Sequence, residues 1–264
     1  MRILKYILIL LITIDLYTMS QVRQPENYSE SGNPIYKYEP LNRDSIEQAI
    51  DDSTTIEEIN NHLSKFFDDG DIYVFHEIVS DKIHVDIYFI KANKDRDYNI
   101  LMTSGMSSLP MNVPGELKGL EYAEVIALLP KDWPLDQKDF ENENSYWPIR
   151  QLKQLARFPH LYNTWLGEGH TISNGNPPEP MADKNSFVGV ILLPSVNLPE
   201  EFLSIKSNDK TINIYSMIPL YKEEMDYKLK YGTDGLLSRF DKFRIREMID
   251  INRPNTCKKR FKIF

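Results

Sequence analysis

The chain has 264 residues, of which 41% are hydrophobic and 27% are charged, a balance that allows a substantial core and argues against disorder. Its formal net charge of -8 argues against a nucleic-acid partner, because phosphate contacts need clustered Lys and Arg, and it favours a basic protein partner. A single cysteine, Cys257, excludes an internal disulfide and a zinc site built from several cysteines.

Residues 1–28 are predicted to be an N-terminal extension, either a signal-like segment or the product of a mis-called start. A basic segment at 1–5 precedes an apolar run at 6–14, which is too short to span a bilayer. Met19 is an equally good start for the chain. We expect a cytoplasmic protein with no integral membrane span. Export is the alternative if residues 1–20 are a real signal.

The first predicted element after the extension is a helix over residues 45–67, capped by Thr54 or Thr55. Two runs rich in β-branched and aromatic residues follow, separated by three turn residues at 80–82, and they are typical of a hairpin. The predicted strands are 72–79, 83–91, 98–103, 121–129, 187–193 and 211–218.

Three more helices are predicted in the second half of the chain. One begins near Ser145 and is expected to end at Pro159. The other two, at 220–231 and 233–241, are divided by Gly232 as a helix C-cap. Together the elements predict an α/β (α+β) fold in which a mixed β-sheet is flanked by helices.

The densest polar cluster lies on the predicted hairpin. If residues 80–82 form the turn, His76 pairs with Asp86, and alternation places His76, His84 and Asp86 on one sheet face. Imidazole and carboxylate groups bind zinc and iron, so a metal-dependent or hydrolytic enzyme is one interpretation. A hydrogen-bonded His–Asp set is the simpler one, because the spacing matches no established metal motif. We expect no metal and no cofactor.

The segment at 103–114 is the first candidate partner-binding loop. It lacks the glycine that a nucleophile elbow needs before its serine, and it lacks the ending of a phosphate-binding loop. Its methionines, Met106 and Met111, have flexible side chains that adapt to partner surfaces. Packing in the core is an equally good role for Met106.

The segment at 165–176 is the second candidate loop. Its glycines and prolines favour tight turns, and Glu168 with His170 is a conceivable acid–base pair, although an exposed loop with incidental charges is the simpler interpretation. We expect a groove between the two loops, with Met106 and Trp165 as candidate anchors. The candidate partner-binding residues are Met106, Met111, Trp165, Glu168, His170 and Asn174.

Short runs spread over residues 29–258 occur in a recognisable order. They are SESGNPIY at 29–36, VFHEIVSD at 74–81, HVD at 84–86, TSGM at 103–106, YAE at 122–124, WPIR at 147–150, LARFP at 155–159, TWLG at 164–167, IPLYKEEM at 218–225 and NRPN at 252–255. In this order the runs resemble the suppressor-of-fused domain. Each run alone is weak evidence, whereas their shared order is specific.

The resemblance implies one suppressor-of-fused-like domain at 29–258, followed by a basic tail at 259–264. Animal members of that family bind transcription factors of the Hedgehog pathway. Many short bacterial members resemble immunity proteins that neutralise a toxin. The resemblance therefore implies a non-catalytic, protein-binding immunity or inhibitor protein, with a toxin or another protein as its partner. A housekeeping scaffold is a further alternative.

Overall fold

The computed structural model describes residues 24–39, 52–77, 82–207 and 209–258. Within these ranges the chain forms three α-helices: α1 (Ser53–Phe66), α2 (Glu143–Tyr162) and α3 (Lys222–Phe243). The strands are β1 (Asn27–Tyr28), β2 (Pro34–Ile35), β3 (Ile72–Phe75), β4 (Asp86–Ile90), β5 (Tyr98–Ser104), β6 (Tyr122–Pro130), β7 (Thr171–Ser173), β8 (Phe187–Leu193), β9 (Ser204–Lys206) and β10 (Thr211–Tyr221). The signal-like segment, residues 80 and 81 of the predicted turn and the basic tail lie outside the described residues.

Eight of the strands form one sheet. Seven follow the order β3-β4-β5-β6-β10-β8-β7, and β9 pairs with the first residues of β10. The β6–β10 pair is parallel, and the other pairs in the sheet are antiparallel. This arrangement confirms the predicted mixed sheet.

Helices cover both faces of the sheet. On one face, Ile149, Leu152 and Leu155 of α2 belong to the core cluster that contains Leu101 and Val125. On the other face, α1 packs on the β4–β6 region and α3 packs on the β8–β10 region. The α1 contacts involve Ile59, Leu63, Ile100 and Met102, and the α3 contacts involve Leu236, Phe240, Ile191 and Leu220. Alternate residues of the central strands therefore face opposite helical layers, as Leu101 and its neighbours Ile100 and Met102 do in β5.

The predicted register of the hairpin is confirmed. Phe75 of β3 pairs with Ile87 of β4, and one further step opposes His76 to Asp86. Regular pairing stops there, so both strands are shorter than predicted.

Two predicted helix boundaries are wrong, and both involve proline. Helix α2 continues through Pro159 to Tyr162, because the Pro159 carbonyl still accepts hydrogen bonds from the backbone N–H groups of Asn163 and Thr164. Strand β10 continues through Pro219 to Tyr221, where a helix was predicted from residue 220. Pro219 lies beyond the part of β10 that pairs with β6, so its missing N–H costs no bond on that side.

Helix α1 begins later than predicted, at Ser53, and the Asp52 side chain accepts from the Thr55 backbone N–H (3.2 Å). Thr54 and Thr55 therefore lie inside the helix, and residues 45–51 lie outside the described residues. The predicted division at Gly232 is present as a break in α3, where the backbone has φ 76° and ψ 179°.

Candidate functional site

The two predicted loops meet at the carboxyl end of α2. The Asn112 backbone N–H donates to the Thr164 carbonyl (3.0 Å), and the Leu166 N–H approaches Met111 Sδ (3.4 Å). We call the surface formed by residues 104–113 and 158–170 the α2-end surface. The structure therefore brings the predicted loops together through direct contacts.

A buried carboxylate fixes the start of the 104–113 loop. Glu124 on β6 is fully buried; its Oε1 accepts from the backbone N–H groups of Gly105 and Ser107 (both 3.0 Å) and from the Ser107 hydroxyl (2.6 Å). Its Oε2 accepts from the Thr103 hydroxyl (2.5 Å). Burial raises the pKa of Glu124, whereas these four donors oppose that rise. The loop is thus held from beneath by one side chain.

Met106 and Met111 do not present their side chains at this surface. Their exposed fractions are 0% and 3%, and both belong to the core cluster beneath α2. Gly105, at φ 128°, lies so close to β4 that an added Cβ would be 1.8 Å from the His84 carbonyl oxygen. The chain therefore turns back against the sheet at Gly105, and the prediction that these methionines contact a partner is corrected to a core role.

Trp165 and His170 pack against each other in the second loop, with ring centroids 4.2 Å apart. Burial, together with the charge of Lys228, lowers the pKa of His170 to about 4. His170 is therefore neutral at pH 7. Because Glu168 is exposed and His170 packs under Trp165, the packing does not favour the conceivable acid–base pair.

Asn174 stabilises its own loop. Its side-chain amide donates to the carbonyls of Glu179 (2.8 Å) and Pro180 (3.2 Å), and its backbone N–H donates to the Val188 carbonyl. Among the predicted contact residues, Glu168 is exposed, and Trp165 and Asn174 are half-buried. Their role in binding a partner stays a prediction.

A surface cavity of 240 Å³ adjoins the 104–113 loop. Leu109 and Pro110 from the loop and Pro159 from α2 form its apolar wall. Its polar lining comes from Lys82, Asn112, His160 and Asn163. The His160 ring Nε2 donates to the Met106 carbonyl (2.8 Å), which ties α2 to the loop.

The polar residues of the hairpin also come together. His76 Nδ1 donates to Asp86 Oδ2 (2.9 Å), and His84 Nε2 donates to Asp86 Oδ1 (2.8 Å). The Glu77 backbone N–H donates to the same Oδ1 (2.9 Å). This is the hydrogen-bonded arrangement of the simpler interpretation. Within the described ranges, no group of three or more His, Cys, Asp or Glu residues is placed to hold a metal ion.

The sequence reasoning missed how this cluster is joined to α2. The Glu77 carboxylate pairs with Arg157, and Lys153 Nζ lies 3.6 Å from Glu77 Oε1. Lys153 and Arg157 are four residues apart, so they share one helix face. The spacing of these two basic residues could have indicated an ion-pair site on α2, but only the tertiary fold shows that Glu77 is the acid that pairs with them.

The chain matches a known protein family over most of its length. Residues 81–254 match the model of the suppressor of fused protein (SUFU) family. The chain belongs to the suppressor-of-fused family. No curated protein is significantly similar to it in sequence.

Three solved structures show the shared fold. A putative SUFU homolog from Neisseria gonorrhoeae FA 1090 has a TM-score of 0.58 and 17% identity, covering 79% of this chain and 100% of the homolog. The Sufu-Fu complex crystal structure has a TM-score of 0.52 and 10% identity, and the match covers 77% of this chain and 91% of the matched chain. Drosophila Suppressor of Fused has a TM-score of 0.50 and 12% identity, and the match covers 76% of this chain and 50% of the Drosophila chain.

Several motifs that carried the resemblance have structural roles in this suppressor-of-fused domain. Glu124 of the YAE run holds the TSGM run. Arg253 of the NRPN run forms a bidentate ion pair with Glu224 of the IPLYKEEM run (2.8 and 2.6 Å). Both partners are buried, with exposed fractions of 7% and 0%. These hydrogen bonds and ion pairs hold the segments that carry the motifs against one another. No helix in the described ranges is long and apolar enough to cross a membrane.

Proposed function

We propose that this chain is an immunity or inhibitor protein that binds a protein toxin and blocks it without chemistry of its own. Membership of the suppressor-of-fused family carries the proposal, since one structurally similar relative was solved as a Sufu-Fu complex. Protein binding is the general property that the family suggests. We add the more specific proposal that the bound protein is a toxin.

The charge of the chain supports a basic partner. Asp and Glu number 39 against 31 Lys and Arg, giving a net charge of -8. Toxins that act on nucleic acid need positive charge for phosphate contacts. Complementary charge speeds encounter between two such proteins and suppresses wrong partners.

The α2-end surface is our proposed contact region. Its loops are preorganised by Glu124 and by the contact between Asn112 and Thr164, so little ordering entropy is lost on binding. Glu168 is its exposed acidic residue. A partner that docks here meets a surface backed by the α2 core.

Co-expression with the product of the neighbouring gene tests the function. We expect the chain to restore growth to cells poisoned by that protein, and the two proteins to co-purify. If growth is not restored and no complex co-purifies, the immunity proposal is wrong.

A matched pair of charge reversals tests the proposed surface. Glu168→Lys lies on the α2-end surface, whereas Glu201→Lys lies on the opposite face, next to Phe202 in the α1-side core. Both residues are exposed, so both variants are expected to keep the wild-type melting temperature. We expect Glu168→Lys to weaken binding about tenfold or more, and Glu201→Lys to change it little. Equal losses would place the contact region elsewhere.

A further inference from the structure

The cavity at the end of α2 combines an apolar wall with a single cation. Leu109, Pro110 and Pro159 form the wall, and Lys82 contributes the charge. The cavity has a volume of about 240 Å³ and is open at the surface of the chain. The space therefore fits a short side chain or a small organic molecule.

Lys82 has no counter-ion among the residues that the structure describes, where no ion pair to it is found. Its backbone adopts the left-handed conformation, with φ 64°, four residues before β4. An amine placed beside an apolar wall is less well hydrated than one in open solvent, which strengthens its attraction to an anion. The chain as a whole carries a net charge of -8, so the cavity differs from the rest of the molecule in the sign of its charge.

His160 adds a hydrogen-bonding group without adding charge. Its Nε2 must carry the proton, because the Met106 carbonyl that it contacts can only accept (2.8 Å). Burial lowers the pKa of His160, and the charge of Lys82 lowers it further, so the ring is neutral at pH 7. Lys82 is thus the positive charge among the residues that line the cavity.

The simplest role for Lys82 is to face the negative end of the α2 dipole. Nearby acceptors already have donors, however. The Pro159 carbonyl accepts from the N–H groups of Asn163 and Thr164, and the Asn163 carbonyl accepts from the Asn112 side chain (3.3 Å). A dipole contact alone makes no use of the apolar surface that Leu109, Pro110 and Pro159 leave beside the amine.

We infer that this cavity binds a carboxylate carried on a short apolar chain, with Lys82 against the carboxylate and Leu109, Pro110 and Pro159 against the chain. The carboxylate belongs either to a free acid or to the C-terminal residue of a peptide. This inference does not depend on the toxin proposal, since the chain alone is sufficient to test it.

Calorimetric titration of the purified full chain with hexanoate and with hexanamide tests the charge. The two probes have the same size, and only hexanoate is charged at pH 7. We expect hexanoate to bind about tenfold or more tightly than hexanamide, because charge-assisted hydrogen bonds are the stronger ones. Equal binding of the two probes, or no binding of hexanoate, would overturn the inference.

Variants at Lys82 locate the binding. Lys82→Met is expected to remove the preference for hexanoate, whereas Lys82→Arg is expected to keep it. Lys131→Met, at an exposed position just after β6, is the matched control and is expected to behave like wild type. If Lys82→Met lowers the melting temperature but leaves the preference unchanged, Lys82 acts on the helix end and the inference fails.

A second pair of probes separates the two sources of the carboxylate. N-acetyl-glycyl-leucine and its amide differ only at the terminal group. Tighter binding of this acid than of hexanoate, lost in the amide, indicates a peptide C-terminus. Tighter binding of hexanoate indicates a free acid. Both outcomes require Lys82, and a preference for the acid over its amide that survives in Lys82→Met contradicts each of them.

Discussion

Buried glutamates act as anchors for loops in this suppressor-of-fused domain. Glu124 holds the start of the 104–113 loop, and Glu224 holds Arg253 and Thr256 near the C-terminus. Glu247 Oε2 accepts from four groups of the segment 195–197. In each case one carboxylate accepts hydrogen bonds from several donors. A donor that is buried without an acceptor destabilises the folded state by about 1–3 kcal/mol, so each carboxylate avoids several such losses.

Glu124→Gln is predicted to change how stability depends on pH. Burial raises the pKa of Glu124 above its ordinary value of 4.5. Above pH 4.5 the unfolded chain releases a proton that the folded chain still holds, so this group lowers the free energy of unfolding as pH rises through that window. Glutamine does not titrate. The stability advantage of wild type over Glu124→Gln is therefore expected to shrink from pH 4 towards neutral pH, as measured by urea unfolding.

The control for this prediction is Glu201→Gln, an exposed carboxyl on the opposite face. It removes a carboxyl without touching the hydrogen bonds of Glu124, so any pH dependence that the two variants share does not come from Glu124. A gap for Glu124→Gln that grows with pH would show that the hydrogen bonds, rather than burial, dominate the pKa of Glu124.

Arg253→Met is predicted to lower the free energy of unfolding by about 3–5 kcal/mol, since it leaves the Glu224 carboxylate buried without its cation. Arg253 also lies over the rings of Phe187 and Tyr221 (5.0 and 4.8 Å), contacts that a methionine keeps only in part. The double variant Arg253→Met/Glu224→Gln is expected to recover part of the loss. Urea unfolding of the two single variants and the double variant measures the coupling, and additive losses would mean that the pair contributes nothing beyond packing.

At the scale of elements, the sequence predicted what depends on local pattern and missed what depends on neighbours. The hairpin register followed from alternation between residues 72 and 91, and the break in α3 followed from Gly232. Strands β7 and β9 have three residues each, too few for a periodic signal, and they form because longer strands offer an edge.

The candidate site divides in the same way. The His–Asp cluster was predictable, because it follows from alternation along the hairpin. The contact between the two loops was expected without a predicted strand order, and the tertiary fold supplies its basis. The burial of Met106 and Met111 was not, since flexible apolar side chains suit a core and an interface equally well. The tertiary fold decides between these roles, because it buries both methionines in the core cluster beneath α2.

Gly232→Ala is predicted to destabilise the break in α3 by about 1–3 kcal/mol, because its backbone, at φ 76° and ψ 179°, lies in a region that only glycine adopts freely. The nearest atom to an added Cβ is Ser31 Cβ at 3.9 Å, so backbone strain rather than a clash is the cause. Gly70→Ala is the control, since that position has free space and no positive φ. Thermal unfolding measures both, and equal small shifts would show that α3 adapts by straightening.

At the scale of the whole molecule, the three layers separate two surfaces. Helix α2, the 104–113 loop and the cavity share one face of the sheet, whereas α1 and α3 cover the other. A partner bound at the α2-end surface therefore leaves the α1 and α3 face free. For this reason a charge change on that free face is expected to influence binding only through the long-range field of the chain.

The association rate with the partner is predicted to fall with salt. Because the chain carries a net charge of -8, its field attracts a basic partner over distances longer than one contact, and raising NaCl from about 50 to 500 mM is expected to lower the association rate about tenfold or more. The dissociation rate, set by local contacts, is expected to change less. Stopped-flow mixing of the co-purified pair, after separation, measures both rates.

Neutralising two acids on the free face, Glu200→Gln with Glu201→Gln, is expected to reduce the salt dependence of the association rate without altering the dissociation rate. An association rate that does not respond to salt would mean that the partner is not basic, because screening acts on every steering interaction between exposed charges.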